Sequence, residues 1–311
     1  MCLLFGCGAL AAQPLVFGLF GDTPYSAWER ARVPAMMGQM RSAGAAFAVH
    51  VGDFKSGSEV CSDSLFQDRL ALLQASPVPL VYLPGDNDWT DCHRASNGGF
   101  DPLERLARLR QTFLASEQSL GAVPMPLLRQ STDPVFGDFR ENVRWEAGGA
   151  LFVGLHVTGS DNNLQGLPGQ TAPVPEFLAR SAANRAWLAQ AFAHARARGL
   201  AGVLVAIQGN PGFEAWRAGR ASPGYREFLD QLLQETRRFD RPVVLVHGDT
   251  HRQRIDQPMT DPASGQPQHN FTRVETFGWP FFGWVRGQVD AADPQVFRFV
   301  PQPWVMAPDS R

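Results

Sequence analysis

Four short apolar runs of this chain end in the same dipeptide: Gly21-Asp22, Gly52-Asp53, Gly85-Asp86 and Gly248-Asp249. The runs are Leu15 to Phe20, Phe47 to Val51, Leu80 to Leu83 and Val243 to His247, and their β-branched and aromatic content reads as strand. Glycine lets a backbone turn as a strand ends, and aspartate places an anionic oxygen there. In an open parallel sheet the carboxyl ends of the strands share one edge, so aspartates far apart in sequence converge on it. Carboxylates crowded together raise one another's pKa unless a cation neutralises them, and a divalent metal or a pair of them is the economical neutraliser. A single Gly-Asp is more simply a turn whose aspartate caps the next helix. Capping gives no role to Asn87 or His251, which follow the third and fourth dipeptides.

Further strand-like runs lie at Leu151 to Val157 and Val203 to Ile207. Between the runs, Ala27 to Ala43, Ser64 to Gln74, Pro102 to Ser116, Glu176 to Arg198 and Pro223 to Arg238 read as helices, the third opening on Asp101-Pro102 as cap and first turn. Strand and helix in alternation predict an α/β fold with mainly parallel strands. After Thr272 the aromatic and glycine-rich Val274 to Gly287, and then Gln295 to Val300, predict antiparallel strands added at a sheet edge. Ala122 to Asn142 and Thr158 to Pro175 read as long irregular loops of the kind that wall binding sites. No repeat or heptad is visible, and a single domain over residues 13–311 is expected.

A formal net charge of −2 gives no broad basic surface for nucleic acid or anionic lipid, so the expected partner is small. Residues 1–12 read as a signal or leader segment, with Ala9-Leu10-Ala11 resembling a cleavage site, although a basic start is missing. This predicts a periplasmic or secreted protein, a cytoplasmic one being the second reading. No later segment is apolar for long enough to span a membrane as a helix. With the leader removed, Cys61 and Cys92 are left as a candidate disulfide, consistent with export. Lys55 is the one lysine in a chain that otherwise uses arginine, and it lies two residues beyond Asp53. It is expected either to meet a substrate phosphate oxygen or to hold the motif loops by a salt bridge, the first being the reading adopted.

These motifs resemble those of the calcineurin-like metallophosphoesterases, whose successive strands end in Asp-x-His or Asp-x-Gly, Gly-Asp, Gly-Asn-His-Asp/Glu, an isolated His, and Gly-His-x-His. The matching pieces here are Gly21-Asp22-Thr23-Pro24, Gly52-Asp53-Phe54-Lys55, Gly85-Asp86-Asn87-Asp88, Gln208-Gly209-Asn210-Pro211 and Gly248-Asp249-Thr250-His251, covering Leu15 to His251. The departures are Pro24, Asp86, Asn87 and Asp249, where many members carry His, Asn, the catalytic His and the first His of the last motif. The chain therefore looks like a histidine-poor bacterial branch whose motifs read GDTPY, GDxK, GDN(D/E)W and HGDTH.

The resemblance implies a four-layer αββα sandwich of two mixed sheets, which the residue pattern alone does not separate from one sheet. It implies two divalent metal ions. Asp22, Asp53 and His251 would hold one, with Asp53 bridging to a second completed by Asp86, Asp249 and an amide of Gln208 or Asn210; Asn87 is a further candidate ligand. Carboxylate and amide in place of imidazole favour Mn²⁺ or Mg²⁺ over Fe²⁺ or Zn²⁺. The implied activity is hydrolysis of a small phosphomonoester or phosphodiester by a hydroxide activated between the two metals. Asn87 stands in the leaving-group position and cannot deliver a proton. His247 or His93 is the expected substitute, unless the enzyme uses good leaving groups. Asp53, Lys55, Asn87 and His247 are thus the candidate catalytic residues. The alternative, motivated by the missing histidines, is a member that binds metal or a phosphorylated ligand without turnover. His50 and His156 read as core, with Ser160-Asp161-Asn162-Asn163 a loop that could reach a ligand, and Trp89 as packing. Substrate and oligomeric state are left open.

Overall fold

The computed structural model describes residues 13–305, so the expected leader lies outside the described residues. Two mixed sheets are present. The first has five strands, β1 (Leu15–Phe20), β2 (Ala45–His50), β3 (Leu80–Tyr82), β11 (Gly283–Val289) and β12 (Phe297–Pro303), in the order β12-β11-β1-β2-β3. The second has seven, β4 (Leu128–Arg129), β5 (Val143–Ala147), β6 (Ala150–Gly154), β7 (Val203–Ala206), β8 (Val243–His247), β9 (Arg254–Asp256) and β10 (Phe271–Glu275), in the order β4-β5-β6-β7-β8-β10-β9. β1, β2 and β3 run parallel, as do β6, β7, β8 and β10.

Side-chain alternation explains the layering. Along β8, Val243 and Leu245 face one apolar cluster while Val244 and Val246 face another, and β7 divides Val203 and Val205 from Leu204 and Ala206 in the same way. The outer cluster packs this sheet against α6 (Pro175–Arg198) and α7 (Pro223–Phe239) through Trp187, Phe192, Leu229 and Leu232. The first sheet packs outward on α2 (Val33–Ser42), α3 (Asp63–Gln74) and α4 (Pro102–Phe113) through Met36, Met40, Phe66 and Leu109. Between the sheets lie Phe17, Phe47, Val49, Trp145, Phe152, Leu204 and Val246. Each fully buried phenylalanine there contributes roughly 2–3 kcal/mol relative to exposure. Four layers result, helices outside and two sheets face to face. Among the described residues no helix is long and apolar enough to cross a membrane.

Most expected elements form, with instructive differences. The stretch Ala27 to Ala43 is two helices, α1 (Ala27–Arg30) and α2, because Pro34 has no N–H to donate and is accommodated in the first turn of a new helix. β4 forms inside the stretch that reads as an irregular loop and pairs with β5, an unexpected strand just after it, which pairs in turn with β6 around Gly148 and Gly149, both at positive φ. The expected C-terminal edge strands are β11 and β12, antiparallel to β1 and to each other, whereas β10 joins β8 in parallel. Cys61 and Cys92 are joined in a disulfide with Cα atoms 5.8 Å apart, tying the segment before α3 to a short 3-10 turn after the third motif.

A carboxylate cluster at the strand ends

The turns after β1, β2 and β8 deliver their aspartates in the left-handed region, with φ 49° at Asp22, 58° at Asp53 and 75° at Asp249; His251 follows at 59°. Aspartate tolerates this conformation better than most residues, and strain of this kind collects at functional sites. Of the four motif glycines, Gly52 alone has a positive φ, 101°. Gly85 and Gly248 serve close approach instead: a Cβ on Gly85 would lie 2.0 Å from Asp53 Oδ1, and one on Gly248 2.1 Å from Asp22 Oδ2. The aspartate makes the turn, and the glycine makes room for the neighbouring carboxylate.

The turns are stitched together by hydrogen bonds. Asp22 N–H donates to Gly52 O (2.9 Å), and Asp249 N–H donates to Asp22 Oδ1 and Oδ2 (3.0 and 3.1 Å). Asp53 accepts from Asn87 N–H at Oδ1 (3.1 Å), and from Asn87 Nδ2 (2.9 Å) and the Tyr25 hydroxyl (2.8 Å) at Oδ2. Asp86 accepts from Gln208 Nε2 at Oδ1 (3.1 Å) and from Ser160 Oγ at Oδ2 (2.8 Å). Ser160 comes from α5 (Gly159–Asn162), a turn that is left-handed rather than α-helical: Ser160 to Asn163 have φ of 50°, 51°, 55° and 56°. Such runs are costly outside glycine. This one is held by Asp161 accepting from Gly224 N–H, Asn162 accepting from Thr158 N–H, and Asn163 donating to Glu176.

The charges confirm that these side chains face one another. Burial raises the pKa of Asp22, and the Asp86 charge adds to it. Burial, then Asp86, Asp88 and Asp22, hold Asp53 well above the ordinary carboxylate range. Burial, Asp86 and Asp22 push Asp249 up to about 8. His251 donates from Nδ1 to Trp279 O (2.7 Å), an oxygen that can only accept, so in the neutral ring the Nε2 lone pair is free. Nε2 lies 3.6 Å from Asp22 Oδ1, with two acceptors facing across that gap. Burial works against protonation of this ring and Asp22 overrides it, leaving its pKa raised.

Among the described residues no group of three or more His, Cys, Asp or Glu side chains is arranged so as to hold a metal ion. The donor chemistry nevertheless fits divalent cations. Buried carboxylates that raise one another's pKa are a donor set whose repulsion a divalent cation relieves, and an imidazole lone pair beside a carboxylate oxygen is a further available donor.

The structure thus brings Asp22, Asp53, Asp86, Asn87, Gln208, Asp249 and His251 together. Four residues do not meet the role expected of them: Gln208, although it reaches the cluster, and Asn210, His247 and Lys55. Gln208 Oε1 accepts from Gly159 N–H (2.6 Å) and Thr158 Oγ1 (3.2 Å), so its oxygen is committed away from the cluster and its amine orients Asp86. Asn210 turns its amide to Thr250 Oγ1 and Gly212 N–H, and only its backbone N–H reaches Asp249 Oδ2 (2.9 Å). His247 is fully buried, lies 2.9 Å from Gly248 O through Nδ1 and 4.0 Å from Glu275 through Nε2, and burial lowers its pKa to about 4. It has no path to a leaving group. His93 is half-buried with Nδ1 on Thr90 O (2.8 Å).

Lys55 is also fully buried, donating to Ser56 O (2.9 Å) in the field of Asp88, Asp53 and Glu59, while burial lowers its pKa. No surface of it is open to a substrate oxygen. Sequence reasoning gave no role to Tyr25 or Asp88. Asp88 is buried and accepts from Asp53 N–H, Phe54 N–H, Gly85 N–H and Tyr82 OH, locking the second motif to the third. Its place as the fourth residue of Gly85-Asp86-Asn87-Asp88 was the available signal.

The architecture is similar to that of solved phosphatases. A dimetal phosphatase from Danio rerio matches at 14% identity over 94% of this chain and 97% of that one, with a TM-score of 0.57. The chain has the calcineurin-like metallophosphoesterase fold. Purple acid phosphatase PPD1 from yellow lupin (Lupinus luteus) seeds matches at 12% identity over 93% of this chain and 54% of that one (TM-score 0.55). PhoD matches at 14% identity over 91% of this chain and 65% of that one (TM-score 0.53). No protein-family model and no curated protein matches the sequence. Within this metallophosphoesterase fold the cluster occupies the carboxyl ends of β1, β2 and β8, the edge at which α/β sheets carry their ligands.

Proposed function

We propose that the chain is a metal-dependent phosphoesterase acting on a small phosphomonoester or phosphodiester. The observation that carries this reading is the buried convergence of Asp22, Asp53, Asp86 and Asp249, with the His251 Nε2 lone pair turned on Asp22. Asp22, Asp53 and His251 would hold one cation, and Asp53, Asp86 and Asp249 a second, with Mn²⁺ or Mg²⁺ the expected metals. When bound, such cations neutralise phosphoryl oxygens and lower the pKa of water to a usable range. The chain's own residues set the geometry: Tyr25 and Asn87 fix Asp53 Oδ2, Gln208 and Ser160 fix the two oxygens of Asp86, and the Trp279 carbonyl fixes the His251 tautomer. With Asn87 in the leaving-group position and His247 buried, neither of these two residues can protonate an alkoxide, and the half-buried His93 makes its hydrogen bond to Thr90 O. Good leaving groups are therefore expected to react best.

The disulfide between Cys61 and Cys92 supports export to an oxidising compartment, the periplasm or the outside of the cell. A second reading, binding of metal or phosphorylated ligand without turnover, draws on the same lack of a proton donor at these two positions. Hydrolysis of p-nitrophenyl phosphate and bis-p-nitrophenyl phosphate by metal-stripped protein, with Mn²⁺, Mg²⁺, Fe²⁺ or Zn²⁺ restored separately, decides between them. Metal-restored release of nitrophenol is expected. Metal binding with no release from either ester would establish the second reading.

A further inference from the structure

A cavity of about 490 Å³ opens directly beside the carboxylate cluster, lined by Asn210, Glu214, Thr250, Arg252 and Arg254. Its lining adjoins the site: Asn210 N–H donates to Asp249 Oδ2 (2.9 Å), Asn210 Nδ2 donates to Thr250 Oγ1 (3.0 Å), and Thr250 lies in the chain between Asp249 and His251. Its wall is built on one buried carboxylate. Glu275, fully buried on β10, accepts from Thr250 Oγ1 (2.5 Å), Arg252 N–H (2.9 Å) and Arg254 Nε (2.7 Å), fixing the backbone from the last motif into β9.

Two cations line the cavity, and they differ in their commitments. Arg254 is held by Glu275 and reaches Glu214 (3.4 Å), while Glu214 itself is held by Arg273 (2.8 Å), which Asp256 also pairs. Arg252 is exposed and, among the described residues, its guanidinium makes no ion pair or hydrogen bond. A guanidinium presents paired N–H donors matched to phosphate or carboxylate oxygens, and a neighbouring amide and hydroxyl extend that donor surface.

We infer that the cavity of Asn210, Thr250, Arg252 and Arg254 is a second anion subsite, and that the substrate is a phosphoester carrying a further phosphate or carboxylate which Arg252 receives. The inference rests on the phosphoesterase reading for its reaction, and only on the cavity for its specificity. Arg252 touches none of the carboxylates of the cluster, so it acts on substrate choice and not on the reacting phosphate.

Three-carbon esters separate the two sources of charge: glycerol 3-phosphate, 3-phosphoglycerate and propane-1,3-diol bisphosphate, assayed for phosphate release by the metal-loaded protein and by Arg252→Gln. The expected result is a KM about tenfold lower for the esters with a second anion, an advantage that Arg252→Gln abolishes while kcat for glycerol 3-phosphate is unchanged. The better of the two anionic esters identifies carboxylate or phosphate. Equal KM values for all three in the unsubstituted protein, or a preference that survives Arg252→Gln, would overturn the subsite. If none of the three alkyl esters releases phosphate while the nitrophenyl esters are hydrolysed, the alkoxide leaving group limits the reaction, and if the nitrophenyl esters fail too the phosphoesterase reading fails; in either case calorimetric titration with the bisphosphate still tests the cavity. Binding weakened by Arg252→Gln upholds the subsite, and binding that is absent or unaltered by it refutes it.

Discussion

At Tyr25 one phenolic oxygen joins two motif loops, donating to Asp53 Oδ2 (2.8 Å) and accepting from Asn87 Nδ2 (3.0 Å). Burial, and then the Asp53 and Asp22 charges, hold the Tyr25 pKa well above its ordinary value, so the hydroxyl remains a donor. Removing that oxygen in Tyr25→Phe leaves the ring's edge contact with His251 and both Asn87 bonds to Asp53 in place, and takes away one of the two side-chain donors that hold Asp53 Oδ2. The expected outcome is a fall in kcat of about tenfold with an unaltered circular-dichroism spectrum, and wild-type turnover would show that Asp53 needs no such support. At this scale the acidic positions were legible because an anionic oxygen must follow each strand. Side-chain direction was not. That Gln208 spends its oxygen on Gly159 N–H, and that His247 points at Glu275, depends on partners 49 and 28 positions away in sequence, which no local pattern encodes.

The turn after β1 and the turn after β2 lean on one imidazole at the end of β2. His50 Nδ1 accepts from Gly52 N–H (3.1 Å) and Nε2 lies 2.9 Å from Thr23 O, so the ring fits only as the neutral Nε2–H tautomer. Burial lowers its pKa from 6.5 to about 4. The unfolded chain then takes up a proton that the folded ring refuses. The stability this ring contributes is complete above pH 6.5 and is lost as pH falls towards 4, an amount on the order of 3 kcal/mol. Urea midpoints of the wild type and His50→Gln, compared across pH 7 to 4.5, are expected to converge on acidification, and a constant difference would contradict the assignment. Element boundaries were legible where composition is one-sided: β1 and β8 match the apolar runs end to end. β5 was missed although Val143-Arg144-Trp145-Glu146 alternates as a half-buried strand does and a glycine turn joins it to β6, because the run is only five residues long and directly follows an irregular loop. Nor was the left-handed turn at Ser160 legible, since its conformation is imposed by Glu176 and Gly224 and not by its own preference.

For the whole molecule, the two sheets could not be told from one by sequence. Strands such as β6, β7 and β8 are buried along their full length, and such a strand reads the same whether its second face meets a helix or another sheet. Three apolar clusters, one between the sheets and one beneath each helical layer, resolve that ambiguity. They also fix the strand ends of β1, β2 and β8 in one place, so the fold sustains mutual repulsion among Asp22, Asp53, Asp86 and Asp249 that would otherwise open the turns. The central claim is that this repulsion is relieved by divalent metal. Calorimetric titration of Mn²⁺ into metal-stripped protein, alongside Asp53→Asn, tests it most directly. About two ions per chain are expected for the wild type, with binding strongly weakened and phosphoester turnover lost in a folded Asp53→Asn. No Mn²⁺ bound by the wild type, or equal binding by both proteins, would contradict it.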